Sequence, residues 1–161
     1  MTGTWHDEPD PPNMVTATIN TTFPKGMALS EWLVNVGAST VAGQLTIQEG
    51  RDNVSAVTPN MATAWITMQN ANAKVTPNTV EFLSFNAPLN VPDDQVCGRA
   101  VFNDLHVSAG ARQDRKPDPF PTSCEMADLS NQEKALEFML FDLSSCVRND
   151  NVPPVPRPIP R

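Results

Sequence analysis

Apolar and polar positions alternate, cluster and break along this chain in a way that separates strands from helices. Thr16 to Thr22 is a β-rich stretch with Ile19 at its centre, ending at Phe23-Pro24-Lys25-Gly26. From Met27 to Val36 the apolar residues Leu29, Trp32, Leu33 and Val36 recur at helical spacing, and Gly37 suits the left-handed position that ends a helix. Gln44-Leu45-Thr46-Ile47-Gln48 alternates, predicting a strand with one wet face. Asn60 to Gln69 carries Ala62, Trp65, Ile66 and Met68 and fits helix or strand equally. Val80 to Phe85 and Arg99 to Val107 read as two further strands.

A long segment rich in Pro, Asp and Arg follows, from Ser108 to Asp128. Loops of that length inside a domain usually carry function or lack order. Ser130 and Glu133 then form a Ser-x-x-Glu capping box at the start of a helix. Its apolar residues, Ala135, Leu136, Phe138, Met139, Leu140, Phe141 and Leu143, cover most of the circumference, so the pattern predicts burial on more than one face. Glu133, Lys134 and Glu137 mark the solvated side.

Because strands and helices alternate in order, the expected architecture is α/β with a mainly parallel sheet. If the segment at 60–69 is a strand, the alternative is a β-sandwich with one appended helix. The domain plan is a Pro-rich, acidic, disordered segment at 1–15, one globular domain at 16–148, and a Pro-rich tail or linker at 149–161. Prolines at 153, 154, 156, 158 and 160 favour an extended tether there.

Charge narrows the partners. The chain of 161 residues has a net charge of −7, and its one basic cluster, Arg112, Arg115 and Lys116, is diluted by Asp114 and Asp118. Nucleic-acid binding needs a basic stripe, and this chain has none. No run reaches the length of a transmembrane helix, and the N-terminus lacks the basic and apolar regions of a signal peptide.

The candidate chemistry sits at the end of the 99–107 strand. Asp104, His106 and Ser108 alternate, so they share one face and form a candidate ligand-binding set. Asp104 and His106 are also a candidate pair of ligands for a divalent metal, the only cofactor the residues suggest. In the plainer reading the two side chains bond to each other and close the sheet edge. His6, beside Asp7, Glu8 and Asp10, offers further ligand types in a solvated run. Of the tryptophans, Trp32 belongs to an apolar helix face, and Trp5 is the one placed to be exposed. The three cysteines, Cys97, Cys124 and Cys146, lack CxxC spacing, which argues against a zinc knuckle. A Cys124–Cys146 disulfide would pin the long loop; one disulfide with a free thiol, or none, fits the residues as well.

Several runs carry a family resemblance: Phe23-Pro24-Lys25-Gly26, Glu31 to Ala38, Leu83-Ser84-Phe85-Asn86-Ala87-Pro88, the Cys97 to Ser108 strand and the Gln132 to Val147 helix. Together they resemble the C-terminal part of a domain from large exported bacterial proteins of unknown function. That domain is distantly similar to the class I glutamine-amidotransferase-like fold, in its trehalose-utilisation-protein-like branch. The resemblance implies a flavodoxin-like sheet of which this chain holds the C-terminal portion, and an extracellular or cell-surface location. It does not carry over the amidotransferase machinery, because there is no Gly-x-Cys-x-Gly elbow and Cys97 opens a strand instead. The resulting expectation is a non-catalytic structural or ligand-binding module, with carbohydrate or other domains of the same larger protein as partners. The alternative is a metal-dependent or hydrolytic enzyme using Asp104 and His106.

Overall fold

The structure is a computed structural model that describes residues 1–107, 128–144, 147 and 149–152. Its described elements are β1 (Gly3–Trp5), β2 (Val15–Ile19), α1 (Pro24–Asn35), β3 (Gln44–Ile47), β4 (Val54–Val57), β5 (Thr63–Gln69), β6 (Asn78–Ala87), β7 (Gly98–Asn103) and α2 (Asn131–Ser144). Ser108, Cys124, Cys146, the 108–127 segment and the tail from 153 onward lie outside the described residues.

Five strands form one sheet in the order β3-β2-β5-β6-β7, and β1 pairs with β4 in a second. Every pairing is antiparallel. This overturns the expected mainly parallel, flavodoxin-like α/β sheet and fits the alternative β-sandwich, with two described helices rather than one. For β5, β6 and β7 the reason lies in the connections. A parallel crossover needs a dozen or more residues, whereas β5 reaches β6 through residues 70–77 and β6 reaches β7 through residues 88–97. Short links of that kind leave antiparallel neighbours as the available pairing.

The ambiguous 60–69 segment supplies β5, and its register explains how two buried residues acquire unusual positions. Ala64 pairs with Leu83 and Ile66 with Phe82, so Trp65 is an extra residue on β5. Ile66 pairs with Phe82 and Thr67 with Val80, so Glu81 is an extra residue on β6. These are two compensating β-bulges, and a bulge re-aims the side chains around it. Val80 and Leu83 consequently share a face despite their odd spacing.

That shared face packs under β4. Val54, Val80 and Leu83 form a small core there with Val57, Ala64, Phe85 and Phe102 against them. The larger core lies on the opposite face, where Ala17, Ile19, Leu45, Ile47, Trp65 and Phe82 meet Leu29 and Leu33 of α1 and Ala135 and Met139 of α2. β6 is therefore covered on both sides, which is why it reads as an almost continuous apolar run.

Helix α1 starts with Pro24 in its first turn, where a missing N–H costs nothing. Gly37, at φ +69°, ends it in the left-handed conformation, and Ala38 N–H donates back to Leu33 O at 2.8 Å. Helix α2 begins with reciprocal capping bonds: Ser130 N–H donates to Glu133 Oε2 at 2.6 Å, and Glu133 N–H donates to Ser130 Oγ at 3.2 Å. The prediction of burial on several faces of this helix needs correction. Its buried residues are Gln132, Ala135 and Met139, while Leu140 and Phe141 are 55% and 51% exposed.

Residues 1–15 also hold structure that their composition hides. Gly3, Thr4 and Trp5 pair with Val57, Ala56 and Val54, and Trp5 meets Phe102 edge-on at 5.0 Å. Backbone pairing supplies what side-chain patterning over three residues is too short to signal.

Two substitutions test this packing. Phe82→Ala removes a fully buried ring between helices and sheet and should cost about 3–5 kcal/mol of stability. Ser130→Ala removes half of the capping box and should cost about 1 kcal/mol. Urea unfolding followed by circular dichroism reads both, and equal losses would show that the core does not centre on β6.

Candidate functional site

The sequence-predicted residues occupy the seam between β7 and the 49–53 loop. Beyond β7, Leu105 forms an isolated bridge with Gly50. Asp104 is nearly buried and fully engaged. Its Oδ2 accepts from Asn53 N–H at 3.1 Å and its Oδ1 from Asn53 Nδ2 at 2.9 Å, while its own N–H donates to Glu81 O at 2.8 Å. Burial pushes its carboxyl above the ordinary range, and the two Asn53 bonds oppose that shift.

His106 points elsewhere. Its Nδ1 closely contacts the Glu49 carboxylate at the surface, and its carbonyl accepts from Gln132 Nε2 at 3.0 Å. Asp104 and His106 thus hold different partners, and Ser108 lies outside the described residues. Among the described residues, no group of three or more His, Cys, Asp or Glu side chains is arranged to hold a metal ion. His6 pairs with Asp52 at 2.5 Å, and Glu8 accepts from Lys74 and Val75 N–H at 3.0 and 3.1 Å. The acidic N-terminal run is stitched to two loops by these bonds. Cys97 is an exposed free thiol, and the proposed Cys124–Cys146 pair lies outside the described residues.

Behind Asp104 sits a residue that pattern reading overlooked. Glu81, the bulged residue of β6, is fully buried, and no side-chain donor meets its carboxylate oxygens among the described residues. Gly50 makes room for it, since a Cβ there would come within 3.1 Å of Glu81 Oε1 and 2.3 Å of Met68 Cε. Burial, then the charges of Asp104 and Asp52, push the Glu81 carboxyl up to about 9, opposed in part by the Arg51 backbone. At neutral pH it is therefore a protonated, uncharged acid.

A second polar centre lies at the other end of the sheet, and two of its members, Ser84 and Asp150, line a partly open cavity. Arg99 of β7, whose side chain is 3% exposed, places its Nε 2.8 Å from Asp142 of α2 and its Nη2 2.7 Å from Asp150. Lys25 of α1 meets Asp142 at 2.7 Å and Asp150 at 3.5 Å. Among the described residues, two buried cations and two buried anions thus meet here, each charge with an opposite partner. Ser84 of β6 joins them: it accepts from Trp65 Nε1 at 2.7 Å and from Arg99 Nη2 at 2.9 Å, and its hydroxyl donates to Asp150 Oδ2 at 3.3 Å. The Arg99 guanidinium also lies 5.8 Å from the Trp65 ring centre, within cation–π range.

Ser84 and Asp150 form part of the wall of a partly open cavity of about 400 Å³. The rest of its polar lining is mostly asparagine: Asn60, Asn86, Asn90, Asn149 and Asn151. Asn60 and Asn90 stand at φ 62° and 59°, a left-handed conformation that Asn tolerates better than most residues. Asn86 accepts from Arg99 Nη1 at 2.9 Å through its Oδ1. Neither Asp104 nor His106 lines this cavity. The signal available in the sequence is a charge beside apolar residues: Arg99 before Ala100, Val101 and Phe102, and Asp142 between Phe141 and Leu143.

No known family, curated protein or solved structure matches the chain. No helix among the described residues is long and apolar enough to cross a membrane.

The Glu81 environment makes a pH prediction. Its ordinary value is 4.5 and its folded value about 9. Between them the folded chain keeps a proton that the unfolded chain has lost. Stability is therefore fullest below the lower value and declines as pH rises toward the upper one, with a slope of at most about 1.4 kcal/mol per pH unit. Glu81→Gln keeps the shape, cannot ionise, and should flatten the profile. Urea unfolding at a series of pH values from 5 to 9 reads the slope; an unchanged slope in the variant would assign the titration to another group.

Proposed function

We propose that the chain is a non-catalytic module of an exported or cell-surface protein, and that it binds a small hydroxyl-rich ligand, with carbohydrate the best chemical fit. The observation that carries this reading is the asparagine-lined cavity above a charge-balanced floor. A carboxamide offers one acceptor and two donors on a planar head, the complement of adjacent hydroxyl groups. A volume of about 400 Å³ suits a small molecule. Phe85 and Leu89, also in the lining, supply an apolar patch for the C–H face of a sugar ring. The ion pairs beneath are satisfied within the protein, so the cavity favours a neutral ligand while they stay intact. The acidic balance and Pro-rich ends of the chain support the exported setting.

The backbone suggests a clean test. Glycine adopts positive φ without strain, so Asn60→Gly and Asn90→Gly remove carboxamides while leaving the turns in place. A panel of neutral monosaccharides titrated into isotope-labelled protein should shift side-chain amide resonances of the lining asparagines, with a Kd of about 1 mM. The double variant should bind roughly ten-fold more weakly, a difference of about 1.4 kcal/mol. Shifts confined to other surfaces, or none for any sugar, would overturn the reading.

A further inference from the structure

Asp150 differs from the other three members of the buried charge group in how it is held. Lys25, Asp142 and Arg99 sit within helices or a strand, whereas Asp150 belongs to the short segment after α2. Its carboxylate is met by Arg99 Nη2 at 2.7 Å, Ser84 Oγ at 3.3 Å and Lys25 Nζ at 3.5 Å. Two cations and a hydroxyl converging on one carboxylate is the arrangement by which proteins recognise carboxylate ligands.

Those three groups also have anchors independent of Asp150. Arg99 is held by Asp142 at 2.8 Å, by Asn86 at 2.9 Å and by the Trp65 ring. Ser84 is fixed by Trp65 Nε1 at 2.7 Å, and Lys25 by Asp142 at 2.7 Å. The receptor side is thus preorganised, which lowers the cost of taking a ligand. With Asp150 withdrawn, Arg99 Nη2, Ser84 Oγ and Lys25 Nζ lose the carboxylate they share, while Lys25 and Arg99 keep Asp142 as a partner among the described residues. Ser84 and Asp150 both line the cavity, so a solute in the cavity meets the group at the Ser84–Asp150 contact.

We propose that Lys25, Ser84 and Arg99 form a carboxylate-binding site occupied by the chain's own Asp150, and that a small carboxylate ligand entering the cavity competes with it. The inference deepens the reading of the cavity as a binding site and relies on that reading for the route of access. Asp150 acts as an internal competitor: the apparent affinity for an external carboxylate falls by the fraction of time in which Asp150 is out.

Acetate is the probe, with chloride at equal ionic strength as the control, in the full chain at neutral pH. Asp150→Ala should lose stability in chloride and regain it in acetate, with shifts of the Ser84 amide and the Arg99 Nε–H resonance. The wild type should bind acetate roughly ten-fold or more weakly than the variant. Adding Lys25→Met to Asp150→Ala should abolish the acetate response. Where Asp150→Ala does not fold in chloride, recovery of folded protein in acetate supports the site. Asp150→Asn, which keeps the shape and loses the charge, should then show a smaller acetate-dependent rise in its urea midpoint.

Equal responses to acetate and chloride in both variants would overturn the proposal. So would equal acetate affinity in wild type and Asp150→Ala, because Asp150 would then not be the occupant. Acetate has no hydroxyl groups for the asparagines, so its binding is read separately from that of sugars. Sugar binding without an acetate response would sink this inference and leave the cavity reading intact.

Discussion

The guanidinium of Arg99, buried between two aspartates, is the interaction on which the arrangement of the other elements depends. Its partners come from the last helix, the segment after it, and the central strand β6; Lys25 adds the first helix through the same two aspartates. A charge taken out of water must be paired and hydrogen-bonded. Each of these elements is therefore constrained to deliver its polar group to one point. Hydrophobic burial would hold α1 and α2 against the sheet in a range of slightly different poses, since apolar contact is not directional. The ionic group selects among those poses. Its net stabilisation need not be large, because a buried pair often does little better than apolar residues of equal volume. Its contribution here is register: α2 must turn Asp142 toward β7, and that turn leaves Leu140 and Phe141 half exposed.

The same accounting separates the two polar ends of the molecule. At the Arg99 end, opposite charges cancel and the group can stay ionised. At the Glu81 end, Asp52, Asp104 and Glu81 bring like charge together, and the most deeply buried member stays protonated. Both ends trace to the paired bulges of β5 and β6. One bulge places Trp65, whose indole N–H fixes Ser84 and whose ring faces Arg99; the other places Glu81 beneath the Gly50 loop. Two inserted residues in adjacent strands thus create an opening centre with balanced charge and a closed centre with a neutral acid.

What the chain disclosed in advance follows from the range of each interaction. The capping box of α2, the helical spacing of Leu29 and Leu33, the left-handed Gly37 and the alternation in β3 act within a few residues, and each was legible. Strand direction was not legible from element order alone, because order is shared by parallel and antiparallel sheets. Loop length was the better guide. β1 was hidden because three residues carry no period, and β4 because its pairing partner lies at the far end of the N-terminal run. Asp104 and His106 were expected inside a strand running to Val107, whereas β7 ends at Asn103, and shared alternation did not bring them to a shared partner. Past Asn103 the chain leaves the ladder, so the two-residue period no longer governs where side chains go.

The Arg99 centre was the hardest feature to foresee, and the reason is physical. Lys25, Ser84, Arg99, Asp142 and Asp150 are scattered along nearly the whole described chain, and no spacing rule links them. Each is, however, locally improbable. Arg99 precedes the apolar run of a half-buried strand, and Asp142 stands between Phe141 and Leu143 of α2, yet both charged side chains are buried. A charge placed where its neighbours demand burial is destabilising unless a partner is supplied from elsewhere. Two such charges of opposite sign in one small domain are therefore best read as partners of each other. Lys25 is the third member by the same logic, since it is buried beside Phe23 and Pro24 at the start of α1. Among the described residues, these two cations meet Asp142 and one more acid. The structure supplies it as Asp150, in the wall of the cavity, where a carboxylate from outside the chain would meet the same cations.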